Sequence, residues 1–414
     1  MAPPPALPDR AHHPAAGLGH RAATRVQVRG DIILRHPQGG GWRIGDNELG
    51  GESGTDQRGN RGGVRFFHGT QRKGRLSKCH RGTVARAADD AYVWAMSDTP
   101  AFLDSGRPPV PDLVVPRGVT PFFLPRRPVR GRLVRLGPLA HALLTRHPNH
   151  AAVTRLSGQA LGLAAALSTA LKFNGSFSVQ AKGDGPVTML LADCTDTGGL
   201  RGYARADASR LEALLRDDPS PGAAQLLGNG YLAFTVDQGP DQNRHQGIVT
   251  IEGGNLAEMA LHYFRTSEQL RCFVHLACDE TREGWRAGAL ILEKIAGAGG
   301  IDPELDEDAQ EESWRTAVAL AGTLTDAELL DDALPPERLV YRLFHSEGVA
   351  TDRARALSFG CRCSRARLLG ILEGFPADDL DHMAVHGDIV MTCEFCNYDF
   401  RFSRQDVRGR SAAS

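Results

Sequence analysis

The chain has 414 residues, 41% of them hydrophobic and 23% charged, with a formal net charge of −1. That is the composition of a soluble globular protein of two or three domains. No run of about 18 apolar residues is present, so no membrane span is expected; the nearest, Ala160 to Leu171, is short and broken by Ser168 and Thr169.

Residues 1–95 carry 15 Lys and Arg against 8 Asp and Glu, and the remainder 33 against 41. Gly, Pro, Arg and His dominate this N-terminal part, and no apolar period persists, so it reads as a disordered basic extension covering 1–111. Arg58-Gly59-Asn60-Arg61-Gly62-Gly63 faintly resembles an RNA-binding tract, though a flexible tail explains it as well. No role is assigned to Cys79-His80. Met96 opens a stretch that continues smoothly into the rest, so a start at Met96 is expected. No signal-peptide pattern is seen. The acidic body argues against nucleic acid as the main partner, because phosphate binding needs a basic face.

The folded part is expected from Asp112. Val129–Leu136 roughly alternates and reads as a strand, and Pro138–Arg146 as a short helix. From His150 to Leu171, Val153, Leu156, Ala160, Leu163, Leu167 and Leu171 recur at intervals of three and four, one face of a helix that should pack on a sheet. Strands are predicted at Ser176–Ala181, Val187–Asp193, Tyr231–Val236, Gly247–Ile251, Phe273–Ala277 and Ala287–Ile295, and a helix capped by Asn255 at Leu256–Gln269. Helices and strands mix without strict alternation, so residues 112–298 read as an α+β core domain.

Ala296-Gly297-Ala298-Gly299-Gly300 breaks the pattern. Ile301 to Glu312 holds seven acids and no base, which reads as a solvated linker. Helices are expected at Trp314–Gly322, at Thr325–Leu330 behind a capping box, and at Pro336–His345. Their apolar residues, Trp314, Val318, Leu339, Leu343 and Phe344, need a surface to cover, and the core sheet is the obvious one. This linker spans 299–355.

The last segment, 356–408, holds Cys361-Arg362-Cys363 and Cys393-Glu394-Phe395-Cys396. Two tight pairs resemble one tetrathiolate zinc site, each pair supplying two soft ligands. Two residues of nearly extended chain span roughly 6.6–7.2 Å between Cα atoms. A modest bend brings that within reach of a disulfide. Each pair can therefore hold a metal when reduced or close on itself when oxidised. Spacing alone leaves a static zinc knuckle and a redox switch both open. Some fifty residues rarely sustain a fold on an apolar core alone, so the metal would carry the segment. Arg362, Arg365 and Arg367 are placed to offset thiolate charge and favour it. Eight cysteines, four in metal-like spacing, suit a reducing cytosol.

Phe359-Gly360-Cys361-Arg362-Cys363-Ser364-Arg365 and Val390-Met391-Thr392-Cys393-Glu394-Phe395-Cys396 resemble the bacterial redox-regulated chaperones of the heat-shock protein 33 family. Lys182-Gly183-Asp184-Gly185-Pro186, Gly198 to Arg205, Gln246 to Val249 and His262 to Leu270 are similar to it as well, in the same order. The family usually has Gly where Asn397 follows the last cysteine; Asn tolerates the left-handed turn. The resemblance implies a cytoplasmic, ATP-independent holdase, not an enzyme. It implies one zinc on Cys361, Cys363, Cys393 and Cys396 in the inactive reduced form. Oxidation would pair Cys361 with Cys363 and Cys393 with Cys396, release zinc, melt the segment and undock the linker. The oxidised chain would dimerise and hold unfolding clients.

Other candidates are weaker. No phosphate-binding loop of the Walker type occurs, and Gly183-Asp184-Gly185-Pro186 reads as a turn. His345, His382 and His386 read as surface residues, Cys194, Cys272 and Cys278 as buried structural thiols. Asp193, Asp196 and Asp237 are explained by strand-end turns. The competing functions are a zinc-module nucleic-acid-binding protein and a thiol–disulfide oxidoreductase using Cys393 and Cys396; the second leaves Cys361 and Cys363 unexplained.

Overall fold

The computed structural model describes residues 111–169, 174–238, 244–295 and 307–411, together with the backbone of 32–35 and 41–44. The remainder of 1–111, with Cys79-His80 and Met96, and the Ala296–Gly300 break lie outside the described residues. Two short strands, β1 (Ile32–Arg35) and β2 (Gly41–Ile44), come first. The core then runs β3 (Val114–Leu124), β4 (Val129–Arg135), α1 (Pro138–Leu144), α2 (Ala151–Ser168), β5 (Ser176–Gly183), β6 (Val187–Thr195), β7 (Gly199–Ala206), α3 (Ala208–Asp217), α4 (Ala223–Leu227), β8 (Gly230–Asp237), β9 (His245–Thr250), α5 (Leu256–Thr266), β10 (Cys272–Thr281) and β11 (Gly284–Lys294). The fold class is α+β, as the sequence indicates.

α2 is the element on which the core is built. Its leucines and alanines are buried nearly all round, and His150 caps it through a side chain that accepts the Ala152 N–H at 3.2 Å. The helix lies across strands from both halves of the sheet: β4, β10 and β11 on one side, β5, β6 and β7 on the other. Each leucine it buries stabilises the fold by about 1.5–3 kcal/mol. Asn255 caps α5 by accepting from Glu258 N.

The linker forms α6 (Glu307–Ala321), α7 (Asp326–Leu330) and α8 (Pro336–Phe344), with Thr325 and Glu328 completing the capping box. The described part of the acidic run is helical from Glu307; Glu307, Asp308 and Glu312 are exposed as expected, whereas Glu311 bonds Arg271 and Lys294. Two strands follow, β12 (Ala350–Thr351) and β13 (Arg355–Phe359). The C-terminal segment folds as α9 (Arg365–Leu372), α10 (Ala377–Met383), β14 (Asp388–Cys393), β15 (Asp399–Ser403) and α11 (Arg404–Ser411).

The large sheet has the order β10-β11-β4-β3-β13-β7-β6-β5-β8-β9, with β12 also on β3. All its pairs are antiparallel except β13 with β7. Because strand side chains alternate between faces, the sheet divides its residues by parity. Val134, Ala289, Ile291, Leu190, Ala192 and Leu200 face α1 and α2. Leu133, Leu290 and Leu292 face the linker helices, and Met189 and Tyr203 face the C-terminal segment. The expected cover of the sheet by Trp314, Leu339, Leu343 and Phe344 is thus found, on the face opposite α2. β14 pairs with β15 and, through its other edge, with β1, where Ile32 aligns with Cys393.

Candidate metal centre

Two turns bring four sulfurs together. Cys361 and Cys363 lie on the extended stretch between β13 and α9, whose N-cap Ser364 accepts from Arg367 N. Cys393 ends β14, and Cys396 lies in the turn before β15. Asn397 takes φ 54° and donates its N–H to Cys393 O at 2.8 Å, while Cys393 N donates to Tyr398 O at 3.0 Å. The left-handed residue expected after the last cysteine is present.

The Sγ atoms are 3.3 Å apart for Cys361–Cys363, 3.6 Å for Cys361–Cys393 and 3.5 Å for Cys363–Cys396, and all four lie within 4.8 Å of one another. A tetrahedron with metal–sulfur bonds of about 2.3 Å has sulfurs roughly 3.8 Å apart. All four thiols are buried, and none of His345, His382 and His386 joins them. Hydrogen bonds first from Cys363 and then from Cys393 hold the Cys361 thiol far below its usual range; the contact with Cys361 pushes Cys363 far above it. A buried group of four sulfurs can neither share protons evenly nor carry four charges alone. The donor set fits a tetrahedral metal ion.

Cys194 and Cys278 are buried as the sequence suggests, and Cys272 is half-buried. Burial pushes Cys194, Cys272 and Cys278 up to about 12, so none is a thiolate at neutral pH.

The arginines depart from expectation. Arg362 pairs with Asp193 of β6, and Arg365 bonds Asp406 at 3.0 Å and Arg401 O at 2.6 Å. Asp193 does not serve a strand-end turn. It is buried on the face toward the centre, opposite Arg201 on β7, whose Nε donates to it at 3.1 Å. Asp237, in contrast, pairs with Arg244 at the surface. Beside Asp193, Arg201 stacks on the Phe395 ring at 3.9 Å, Tyr203 meets the same ring edge-on at 5.2 Å, and Arg205 pairs with Glu394 at 2.5 Å. From the loop before α2, His147 contacts Phe395 O at 3.3 Å, and Arg146 O accepts from Asn397 at 3.0 Å. Sequence reasoning missed this dock because its partners across the two segments lie 169 to 251 residues apart.

The Hsp33 protein family model matches residues 118–403. The 33 kDa chaperonin of Caulobacter vibrioides (strain NA1000 / CB15N) is 39% identical over 284 residues, covering 67% of this chain and 92% of the relative. That of Pseudomonas fluorescens (strain SBW25) is 35% identical over 288 residues, covering 69% and 90%. The crystal structure of the 33 kDa chaperonin (heat shock protein 33 homolog) from Thermotoga maritima superposes with a TM-score of 0.58 at 19% identity, over 72% of this chain and all of the other, which shows a shared fold. These relatives are named as chaperonins and not as enzymes. With a family model over more than half its length and relatives more than a third identical across nearly all of theirs, the chain belongs to the Hsp33 family of chaperones.

Proposed function

We propose that the chain is a redox-regulated, ATP-independent holdase of the cytoplasm. Cys361, Cys363, Cys393 and Cys396 hold one zinc ion in the reduced, inactive state. Bound zinc ties two distant chain segments together and supplies roughly 10–16 kcal/mol, comparable with the 5–15 kcal/mol that stabilises a whole domain. An oxidant such as peroxide takes two electrons from each thiol pair and is reduced to water. The pairs become the disulfides Cys361–Cys363 and Cys393–Cys396. Neither leaves a thiolate to bind metal, so residues 356–408 melt and the linker 299–355 loses an anchor. The apolar surface beneath is then free for unfolding clients, and oxidised chains dimerise. The observation that supports this reading is the cluster of four buried sulfurs at 3.3–3.6 Å, set over a sheet whose apolar face is covered only by the linker and this segment among the described residues.

Light scattering of a heat-aggregating client tests it. The peroxide- or hypochlorite-treated protein suppresses aggregation without ATP, and the reduced zinc form does not. Equal suppression by both forms rejects the switch. We also assign residues 1–95 to an extension the switch does not need, although β1 pairs with β14 beside Cys393; loss of the zinc site in a chain beginning at Met96 rejects that.

A further inference from the structure

Strand β13 has an unusual place. It enters the sheet late in the chain and lies between β3 and β7, joining the two half-sheets. On one side Arg355, Leu357 and Ser358 align antiparallel with Val119, Val115 and Val114, across a bulge. On the other, only Ser358 and Phe359 align, parallel, with Gly199 and Leu200. Beyond the ladder itself, its ends are tied by Ser358 N to Gly198 O at 2.9 Å, Gly360 N to Leu200 O at 2.8 Å and Phe359 N to Leu113 O at 3.3 Å. Gly360 alone separates β13 from Cys361.

The walls of this slot are cut to the strand. A Cβ at Gly118 would lie 2.6 Å from the Leu357 side chain, and one at Gly198 2.2 Å from Ala356 O. Leu357 is buried in the main core, and Phe359, under Arg146 at 5.4 Å, packs against both that core and the C-terminal one. Both walls have supports other than β13: α2 packs on β7 and on β4, and β4 pairs with β3.

We infer that the slot of β13 is a strand-accepting site for clients: when the C-terminal segment melts, β13 leaves with it, and an extended apolar segment of an unfolding polypeptide takes its place. This rests on the redox reading above and gives it a defined client contact. The two freed edges present unpaired N–H and C=O groups, which are templates for an added strand. Main-chain bonds to β3 and β7 are indifferent to client sequence. The resident Leu357-Ser358-Phe359 states the side-chain preference: apolar residues two positions apart, both toward α1 and α2, with a small one between.

The test uses the full chain and a fluorescent peptide of residues 352–360 as the probe, read by anisotropy. The oxidised form binds the peptide at least tenfold more tightly than the reduced zinc form. Peptides carrying Leu357→Asp or Ser358→Pro lose at least tenfold, the first by denying the core an apolar group, the second by removing the N–H that meets Gly198 O. Hydrogen exchange at Leu200 and Val115 speeds up on oxidation and slows again with the parent peptide. A peptide that binds both forms equally, or whose variants bind as well as the parent, overturns the proposal. So do amides at Leu200 that stay protected in the oxidised dimer, because the chain's own strand or a second copy's then fills the slot. If oxidised protein sheds zinc and holds clients but ignores the peptide, only the slot falls. If it does neither, the redox reading falls and takes the slot with it.

Discussion

One face of the sheet carries two covers held in different ways. Over β3, β4, β10 and β11, the linker buries Trp314, Leu339, Leu343 and Phe344 against Phe122, Leu133 and Leu292, with the Phe122 and Phe344 rings stacked at 5.3 Å. Arg135 reaches through to carbonyls of the same linker, Glu328 O at 2.6 Å and Asp331 O at 2.8 Å. Over β6 and β7, the C-terminal segment meets Met189 and Tyr203 as its buried apolar partners among the described residues, and is docked by arginine–carboxylate pairs, by Arg201 on the Phe395 ring and by bonds from the loop before α2. Its own core closes around the four cysteines. The first cover holds by removing apolar area from water. The second closes around four sulfurs, which in the proposed switch an oxidant would take from the metal. In that proposal sensing and covering are divided between two pieces, and β13 joins them.

The largest test breaks the second cover alone. Cys393→Ser takes zinc content from one per chain to none. In hydrogen exchange, residues 361–403 lose protection outright, while α6 to α8 open later and more slowly. Linker amides that deprotect together with the segment would show the covers to be one cooperative unit.

The reverse cut is smaller. Trp314→Ala removes a buried aromatic from the linker, a loss of about 3–5 kcal/mol. Zinc content stays at one per chain, but the reduced form gains partial client holding in light scattering. Loss of zinc in this variant would contradict the division.

Smaller again is the dock. Asp193→Asn weakens the acceptor for Arg201 and Arg362, both partly shielded, at a cost of about 1–3 kcal/mol. Zinc passes to a chelator severalfold faster than from the parent, whereas Trp314→Ala leaves that rate unchanged. An unchanged rate for Asp193→Asn would mean that the dock does not steady the centre.

What was legible in the sequence follows the range of the forces. The cysteine pairs, the leucine period of α2, the Asn255 cap and the Thr325 box are local patterns, and each was found where expected. β3 was not read, because Pro116 and Pro121 interrupt it; it tolerates them by changing partner along its length, from β13 to β4 and β12. β13 was invisible for a deeper reason. Arg-Ala-Leu-Ser-Phe has little strand signal of its own, and its neighbours lie about 160 and 240 residues earlier. Asp193 was misread for the same cause, since nothing near it in sequence announces Arg362. Glu311 was read with the rest of the solvated run because its cations, Arg271 just before β10 and Lys294 at the end of β11, lie in the core domain.

That last pairing gives the smallest effect. The Arg271 guanidinium, helped by the Lys294 ammonium at 3.0 Å, holds the Glu311 carboxyl down to about 2, against an ordinary 4.5. A carboxylate whose folded-state value is depressed stabilises the fold fully above its unfolded value and loses that contribution as pH falls through the folded one. The window is therefore from about 4.5 down to about 2, and stability falls with falling pH. Glu311 lies one turn before Trp314, whose ring Arg271 also covers at 5.9 Å, so loosening of α6 changes that indole's surroundings. Water screens the pair, so the effect is slight. Tryptophan fluorescence of the parent should shift across this window, and Glu311→Gln, which has no charge to lose, should remove that part of the shift. Identical profiles would mean that the first turn of α6 is held to the sheet by its buried residues alone, with no electrostatic clasp at its end.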